Sequence, residues 1–290
     1  MSTRLIVEIR FKAPALHRAV LEPGQVLRVG RGEQAGLVVA SDPHLSALHF
    51  ELVWNGMTCL LRDLDSATGT LLDGRRITKE AQIHHGAWVR AGTTDLSVYF
   101  EGATPPAEPL TPERVQLASR LLEVLEVESL PLLAVLDAAR SERVRVLLRE
   151  SVEFSKSLYE GPQAEVLAEV APYLVSLPRE GRLLHALLAE GWGKSWGIYL
   201  ACAQPFAEVR RHLRKLLMVE GATGQELYFR FYDPRVLRPF LRTSSASLVR
   251  EVLGPIDCFW LQGEQPEQIL RIHYTPEGGR EASPRLPPRT

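Results

Sequence analysis

LYFRFYDPRVLRPFLR, residues Leu227 to Arg242, encodes a strand, a turn and a helix in a single run. Leu227, Phe229 and Phe231 alternate with Tyr228, Arg230 and Tyr232, the period-two pattern of a strand with two unlike faces. Asp233 then offers a side-chain oxygen to the first free amides of a helix, and Pro234 sits in the first turn, where no donor is needed. Val236, Leu237, Phe240 and Leu241 form one apolar face; Arg235, Arg238 and Arg242 form a basic stripe on the other. Pro239 is expected to kink the helix or limit its first segment. Three aligned guanidinium groups suit a carboxylate-bearing partner, unless they pair internally with acids such as Glu208 or Glu251.

Upstream, strand and helix patterns alternate. PLLAVLDA (131–138) is a near-continuous apolar run, as in a strand covered on both faces. Arg143 to Val152 reads as helix, YLVSL as strand, Arg182 to Leu188 as helix, and Trp196 to Cys202 as a further strand. Gln204-Pro205 leads into a helix with Phe206, Val209, Leu213, Leu216 and Leu217 on one side and Arg210, Arg211, Arg214 and Lys215 on the other. The second face reads as solvated, with Arg210 and Arg214 candidates to extend the basic binding surface. Residues 243–253 look helical, and DCFWLQ and ILRIHY supply late strands. The expectation is an α/β domain over 113–275, a mixed sheet with helices, followed by a disordered tail at 276–290.

GATPPAEPLTP, residues 102–112, has four prolines and no apolar periodicity, and reads as a stiff linker. Thr111-Pro112-Glu113 then opens a helix with Val115, Ala118, Leu121, Leu122 and Leu125 as its apolar positions. Before the linker nearly every signal is β. Leu5, Val7, Ile9 and Phe11 alternate, Asn55-Gly56 separates HFELVW from MTCLLRDL, and Asp73-Gly74 marks a second tight turn. Short strands with regularly spaced turns predict a β-sandwich over 1–101.

Of the 290 residues, 45% are hydrophobic and 24% charged, and the net charge is −1, so neither nucleic acid nor anionic membrane is attracted in general. Cys59, Cys202 and Cys258 have no metal-like spacing and suit a reducing cytosol. The alternating, soon-charged start reads as a strand and not a secretory signal, and no apolar run approaches membrane length.

The loops of the first region resemble those of forkhead-associated (FHA) domains, which read phosphothreonine peptides. The matching residues are Gly30-Arg31, Ser46-Ala47-Leu48-His49, Asp63 to Thr70, and Asp73-Gly74, within about residues 4–101. The resemblance implies that Arg31 and Ser46 hold the phosphate, that Thr68 faces the peptide, and that Gly30, His49 and Gly69 are structural. A guanidinium and a hydroxyl suit phosphate oxygens. The chain departs from the family at Ala47, where Arg or Lys is common, and at Thr68, where Asn is common; Thr68 offers one donor where an amide offers a two-sided set. Phosphothreonine recognition and plain protein docking both remain open here.

The second region resembles the effector-adaptor family of bacterial type VI secretion catalogued as domain of unknown function 4123. PLLAVLDAAR, SLYEG, APYLVSL and LYFRFYDPRVL occur in family order between Leu130 and Tyr274. The resemblance implies a cytoplasmic bacterial chaperone or adaptor that binds a secreted effector toxin and hands it to a VgrG-type spike. A phosphothreonine-dependent scaffold that regulates secretion is the other reading. Neither a cofactor nor an enzyme activity is expected. Gly193-Lys194-Ser195 precedes a strand and lacks the upstream glycine of a phosphate-binding loop. His84-His85 point to opposite faces of a strand, and no nucleophile elbow or metal-ligand spacing is present.

Overall fold

The structure, a computed structural model, describes residues 3–10, 18–161, 164, 166–221, 224–275, 278–282 and 286. Contacts divide it into a first unit, Met1–Pro105 with Arg149–Val152, and a second, Pro106–Leu148 with Glu153–Thr290.

The strands of the first unit are β1 (Leu5–Ile9), β2 (Arg18–Leu21), β3 (Val26–Gly30), β4 (Leu37–Val38), β5 (Phe50–Trp54), β6 (Cys59–Asp63), β7 (Thr70–Leu72), β8 (Arg75–Arg76), β9 (Glu80–Ile83), β10 (Ala87–Ala91) and β11 (Thr94–Phe100). They form a six-stranded sheet, β2-β1-β11-β10-β7-β8, and a five-stranded one, β4-β3-β5-β6-β9. Alternation makes the sandwich: Leu27 and Val29 of one sheet and Val89, Leu96 and Val98 of the other turn into a single core with Phe50, Leu52, Trp54 and Leu61. Expected Phe11 lies outside the described residues. The β7–β8 turn works as the sequence implies, since Asp73 (φ 49°) and Gly74 (φ 79°) both take the left-handed backbone a two-residue hairpin requires. The loops after β3, before β5 and before β7 lie within hydrogen-bonding reach of one another.

The second unit is α/β. Its strands are β12 (Leu132–Asp137), β13 (Ser155–Ser157), β14 (Pro172–Ser176), β15 (Gly197–Ala201), β16 (Met218–Glu220), β17 (Glu226–Tyr228), β18 (Cys258–Gln262), β19 (Ile269–Thr275) and β20 (Gly278–Ala282). Seven form one sheet, β13-β14-β12-β15-β18-β19-β20, in which every pair is antiparallel. Helices are α1 (Pro112–Glu126), α2 (Glu142–Arg149), α3 (Arg182–Ala186), α4 (Phe206–Lys215), α5 (Pro234–Thr243) and α6 (Ala246–Leu253). All six residues of β12 are buried because both sheet faces are covered. Leu132, Ala134 and Leu136 pack with α1, α2 and α3; Leu133 and Val135 pack with α4, α5 and α6.

Four expectations are corrected. The strand read over 227–232 stops at Tyr228, in a two-stranded ribbon with β16; the chain then turns, burying Phe229, Phe231 and Tyr232 under the sheet while Leu227 and Tyr228 stay exposed. Pro239 does not end its helix: α5 runs from Pro234 to Thr243 with Pro239 inside it, and Ser245 caps the next helix. Val236, placed on the apolar face, is exposed. Finally, residues 278–282, read as part of a disordered tail, form β20 on the edge of the sheet by backbone pairing with β19; the remaining tail residues, Leu286 apart, lie outside the described ones.

Candidate functional site

In the first unit three loops are stitched together backbone to backbone. Arg31 N–H donates to Ser46 O (3.0 Å), and Gly32 N–H donates to Ala47 O (3.0 Å). The approach is close enough to demand glycine at position 30: a Cβ there would lie 2.8 Å from the Ala47 carbonyl carbon and 2.9 Å from Ser46 O. Arg31 and Ser46 therefore sit on adjoining backbones. Buried His49 ties in the third loop. Its Nδ1 accepts from Ser46 N–H (3.1 Å), which leaves Nε2 to donate to Gly69 O (3.2 Å).

That third loop is braced from within. Ser66 Oγ donates to Asp63 Oδ1 (2.7 Å), Thr70 Oγ1 donates to the same oxygen (2.6 Å), and Gly69 N–H donates to Ser66 Oγ (3.0 Å). Burial works to raise the Asp63 carboxyl, but the bonds from Ser66 and Thr70 outweigh it and hold the group below its ordinary range. Ser46 Oγ accepts from Ala67 N–H (3.0 Å), so the hydroxyl keeps its own proton for an incoming acceptor. Thr68 instead donates to His44 O (3.3 Å). Arg31 is exposed and has neither an ion pair nor a hydrogen bond from its side chain among the described residues. The arrangement is a hydrogen-bonded frame carrying a guanidinium without a side-chain partner and a hydroxyl proton left free, donors of the kind that suit a tetrahedral oxyanion.

In the second unit the signature stretch builds a different structure. Asp233, almost fully buried, accepts from Arg235 N–H (3.0 Å) and caps α5, while Arg235 Nε and Nη2 fork onto its carboxylate (3.0 and 2.6 Å). Burial would raise the Asp233 carboxyl; the Arg235 bonds overcome this and lower it. Arg238 donates to Gln262 O (3.1 Å) and to Gly263 O, and Arg242 pairs with Glu264 (2.9 Å). Each arginine of the stripe thus has an internal partner. The partners seen are Asp233 and the β18–β19 hairpin.

Arg210 is corrected outright. It is 7% exposed, and it donates to Ser157 O (2.8 Å), Glu160 Oε1 (2.6 Å) and Tyr159 O (3.2 Å). Arg214 joins the same clamp through Leu158 O (3.0 Å) and Glu160 Oε2 (2.7 Å). The segment that follows β13 covers this face of α4, leaving Arg211 and Lys215 in solvent.

The comparisons with known proteins divide the chain in the same way. A model of the FHA domain matches residues 27–92. These residues are an FHA domain. A second model, Domain of unknown function (DUF4123), matches residues 132–251, and the chain carries that domain too. Similar solved structures include the FHA domain of CT664 protein from Chlamydia trachomatis, with 26% identity, covering 33% of this chain and 96% of that one at a TM-score of 0.32. Another is the FhaA FHA domain complexed with the intracellular domain of Rv3910 (26% identity, 32% and 98% covered, TM-score 0.29). A third is Mycobacterium tuberculosis EmbR in complex with a low affinity phosphopeptide (18%, 34% and 26%, TM-score 0.30). A search of curated proteins finds no match.

Two features of the DUF4123 domain escaped sequence reading. Arg230 donates to Asp137 Oδ2 (2.7 Å), joining the signature to the end of β12, and Asp137 is buried. Beside it the hydroxyls of Tyr159, Tyr228 and Tyr232 form a chain (2.8 and 3.2 Å). The only sequence signal was an acid closing an apolar strand. The three cysteines are buried, and burial pushes the Cys59 and Cys258 thiols up to about 12, far from the thiolate a nucleophile needs. Among the described residues no cluster of three or more His, Cys, Asp or Glu could hold a metal, and no helix is long and apolar enough to cross a membrane.

Proposed function

We propose that this protein is a type VI secretion adaptor, or chaperone, of the bacterial cytoplasm. Its DUF4123 domain binds a secreted effector and presents it to a VgrG-type spike, and its FHA domain docks a phosphothreonine-bearing protein. Binding by complementary surfaces does the work, with no chemical step. One observation carries the phosphate half: Ser46 Oγ accepts from Ala67 N–H and keeps its proton free, on a backbone bonded to that of unpaired Arg31. The effector half is supported by the DUF4123 match and by the ordered family motifs within it.

The test uses the full chain, co-expressed with a toxin and a spike protein from one secretion gene cluster. Co-elution of the three supports the adaptor role, and failure to bind either partner ends it. Calorimetry with a phosphothreonine peptide and its unphosphorylated twin addresses the FHA domain separately. Arg31→Ala removes a charge-assisted bond of about 1.5–3 kcal/mol and is expected to abolish the preference for the phosphorylated peptide.

A further inference from the structure

A phosphothreonine brings about 1.5 to 2 negative charges at neutral pH. Across the three loops of the site, residues 30–32, 44–49 and 66–69, Arg31 is the sole Arg or Lys, and the exposed position next to Ser46 is Ala47. Arg76, in β8 of the β7–β8 hairpin, lies against Gly69 of the Ala67–Gly69 turn. A Cβ added to Gly69 would fall 2.5 Å from Arg76 Cζ and 2.6 Å from Nε, with Nη2 equally near. The guanidinium therefore packs against Gly69. Arg76 is exposed and has no ion pair or hydrogen bond from its side chain among the described residues. The turn beneath it is bonded to the site twice, through Ala67 N–H to Ser46 Oγ and through Gly69 O to His49.

We propose that Arg76 is the second cation of the FHA site, contacting the phosphorylated threonine side chain together with Arg31 and Ser46. It takes the part that a basic residue at position 47 would otherwise play; Gly69 itself is glycine for its left-handed backbone (φ 78°). The inference rests on the phosphothreonine reading above.

Its test uses one phosphothreonine peptide, selected by the full-length protein from a degenerate library, and the unphosphorylated twin. Calorimetry compares the wild type, Arg31→Ala, Arg76→Ala, and Arg76→Ala combined with Ala47→Lys. Arg76→Ala is expected to cut the preference for the phosphorylated peptide about tenfold, the scale of one charge-assisted bond, without lowering the melting temperature. Ala47→Lys is expected to restore most of that loss, because it returns a cation to the phosphate from the opposite loop. Full preference in Arg76→Ala, with loss in Arg31→Ala, overturns this inference and leaves the phosphothreonine reading standing. A wild type without phosphate preference overturns both. A loss that comes with a lower melting temperature and is not restored by Ala47→Lys makes Arg76 a brace for the turn, and the inference fails.

Discussion

Replacing Arg210 with alanine distinguishes a clamp from a solvated helix face. The side chain is 7% exposed and makes two bonds to backbone carbonyls of residues 157 and 159, besides its ion pair with Glu160. The Glu160 side chain is 50% exposed, so that pair is screened and contributes no more than about 1 kcal/mol. The carbonyl bonds have a charged donor, each worth about 1.5–3 kcal/mol, and water can refill part of the loss because the segment is only partly buried. The expected cost of Arg210→Ala is therefore about 3 kcal/mol. Arg211→Ala, one position along the same helix, removes only a 3.8 Å contact between exposed groups and is expected to cost less than about 0.5 kcal/mol. Arg210→Lys should behave nearly like alanine, since an ammonium cannot span three acceptors arranged for a planar fork. Urea unfolding of the full chain reads this through tryptophan fluorescence, with Trp192, Trp196 and Trp260 reporting on the DUF4123 side. If Arg210→Ala and Arg211→Ala unfold within about 0.5 kcal/mol of each other, Arg210 is not a clamp and the assignment is wrong.

Gly30→Ala forces the Ser46–Ala47 backbone away and breaks the Arg31–Ser46 and Gly32–Ala47 bonds. At about 1 kcal/mol per bond plus strain, a loss of about 2–3 kcal/mol is expected, seen as faster hydrogen exchange over residues 29–49; wild-type protection there would count against the packing described. Acid should loosen the Asp63 loop in a definite window. Its carboxyl is lowered in the folded state, so the unfolded chain binds the extra proton first; the contribution is complete above about pH 4 and is lost as pH falls through the lower folded value. Asp63→Asn should flatten that part of the acid unfolding curve, and an unchanged curve would remove Asp63 as its source.

What was legible in the sequence follows from what local chemistry determines. Asp73-Gly74 announced its hairpin because few residue pairs tolerate two successive positive φ values, and the β12 run announced burial on both faces because nothing polar interrupts it before Asp137. Gly30, Ser46 and His49 could be placed because their bonds run between loops whose spacing recurs in a known pattern. β13 and β20 could not, since SKS and a glycine-containing tail have no apolar alternation and become strands only when β14 and β19 offer their free backbone edges.

The fate of the arginines was hidden for a stronger reason. Helical periodicity states which residues of α4 share a face, and it separated Arg210, Arg211, Arg214 and Lys215 from the apolar side correctly. It does not state which distant segment comes to lie on that face. Here residues 157–160, some fifty positions earlier, cover half of it and turn two of its four cations into internal donors. The same limit acts in reverse at Arg76, which no sequence pattern singled out. Its guanidinium is placed by a contact with Gly69 across the β7–β8 hairpin, on a turn whose other bonds lead to Ser46 and His49. What a basic residue can do therefore depends on what covers it or leaves it open, which periodicity does not state. The arginines that looked like a binding stripe have partners within the fold, while Arg31 has none from its side chain among the described residues and adjoins Ser46 through its backbone.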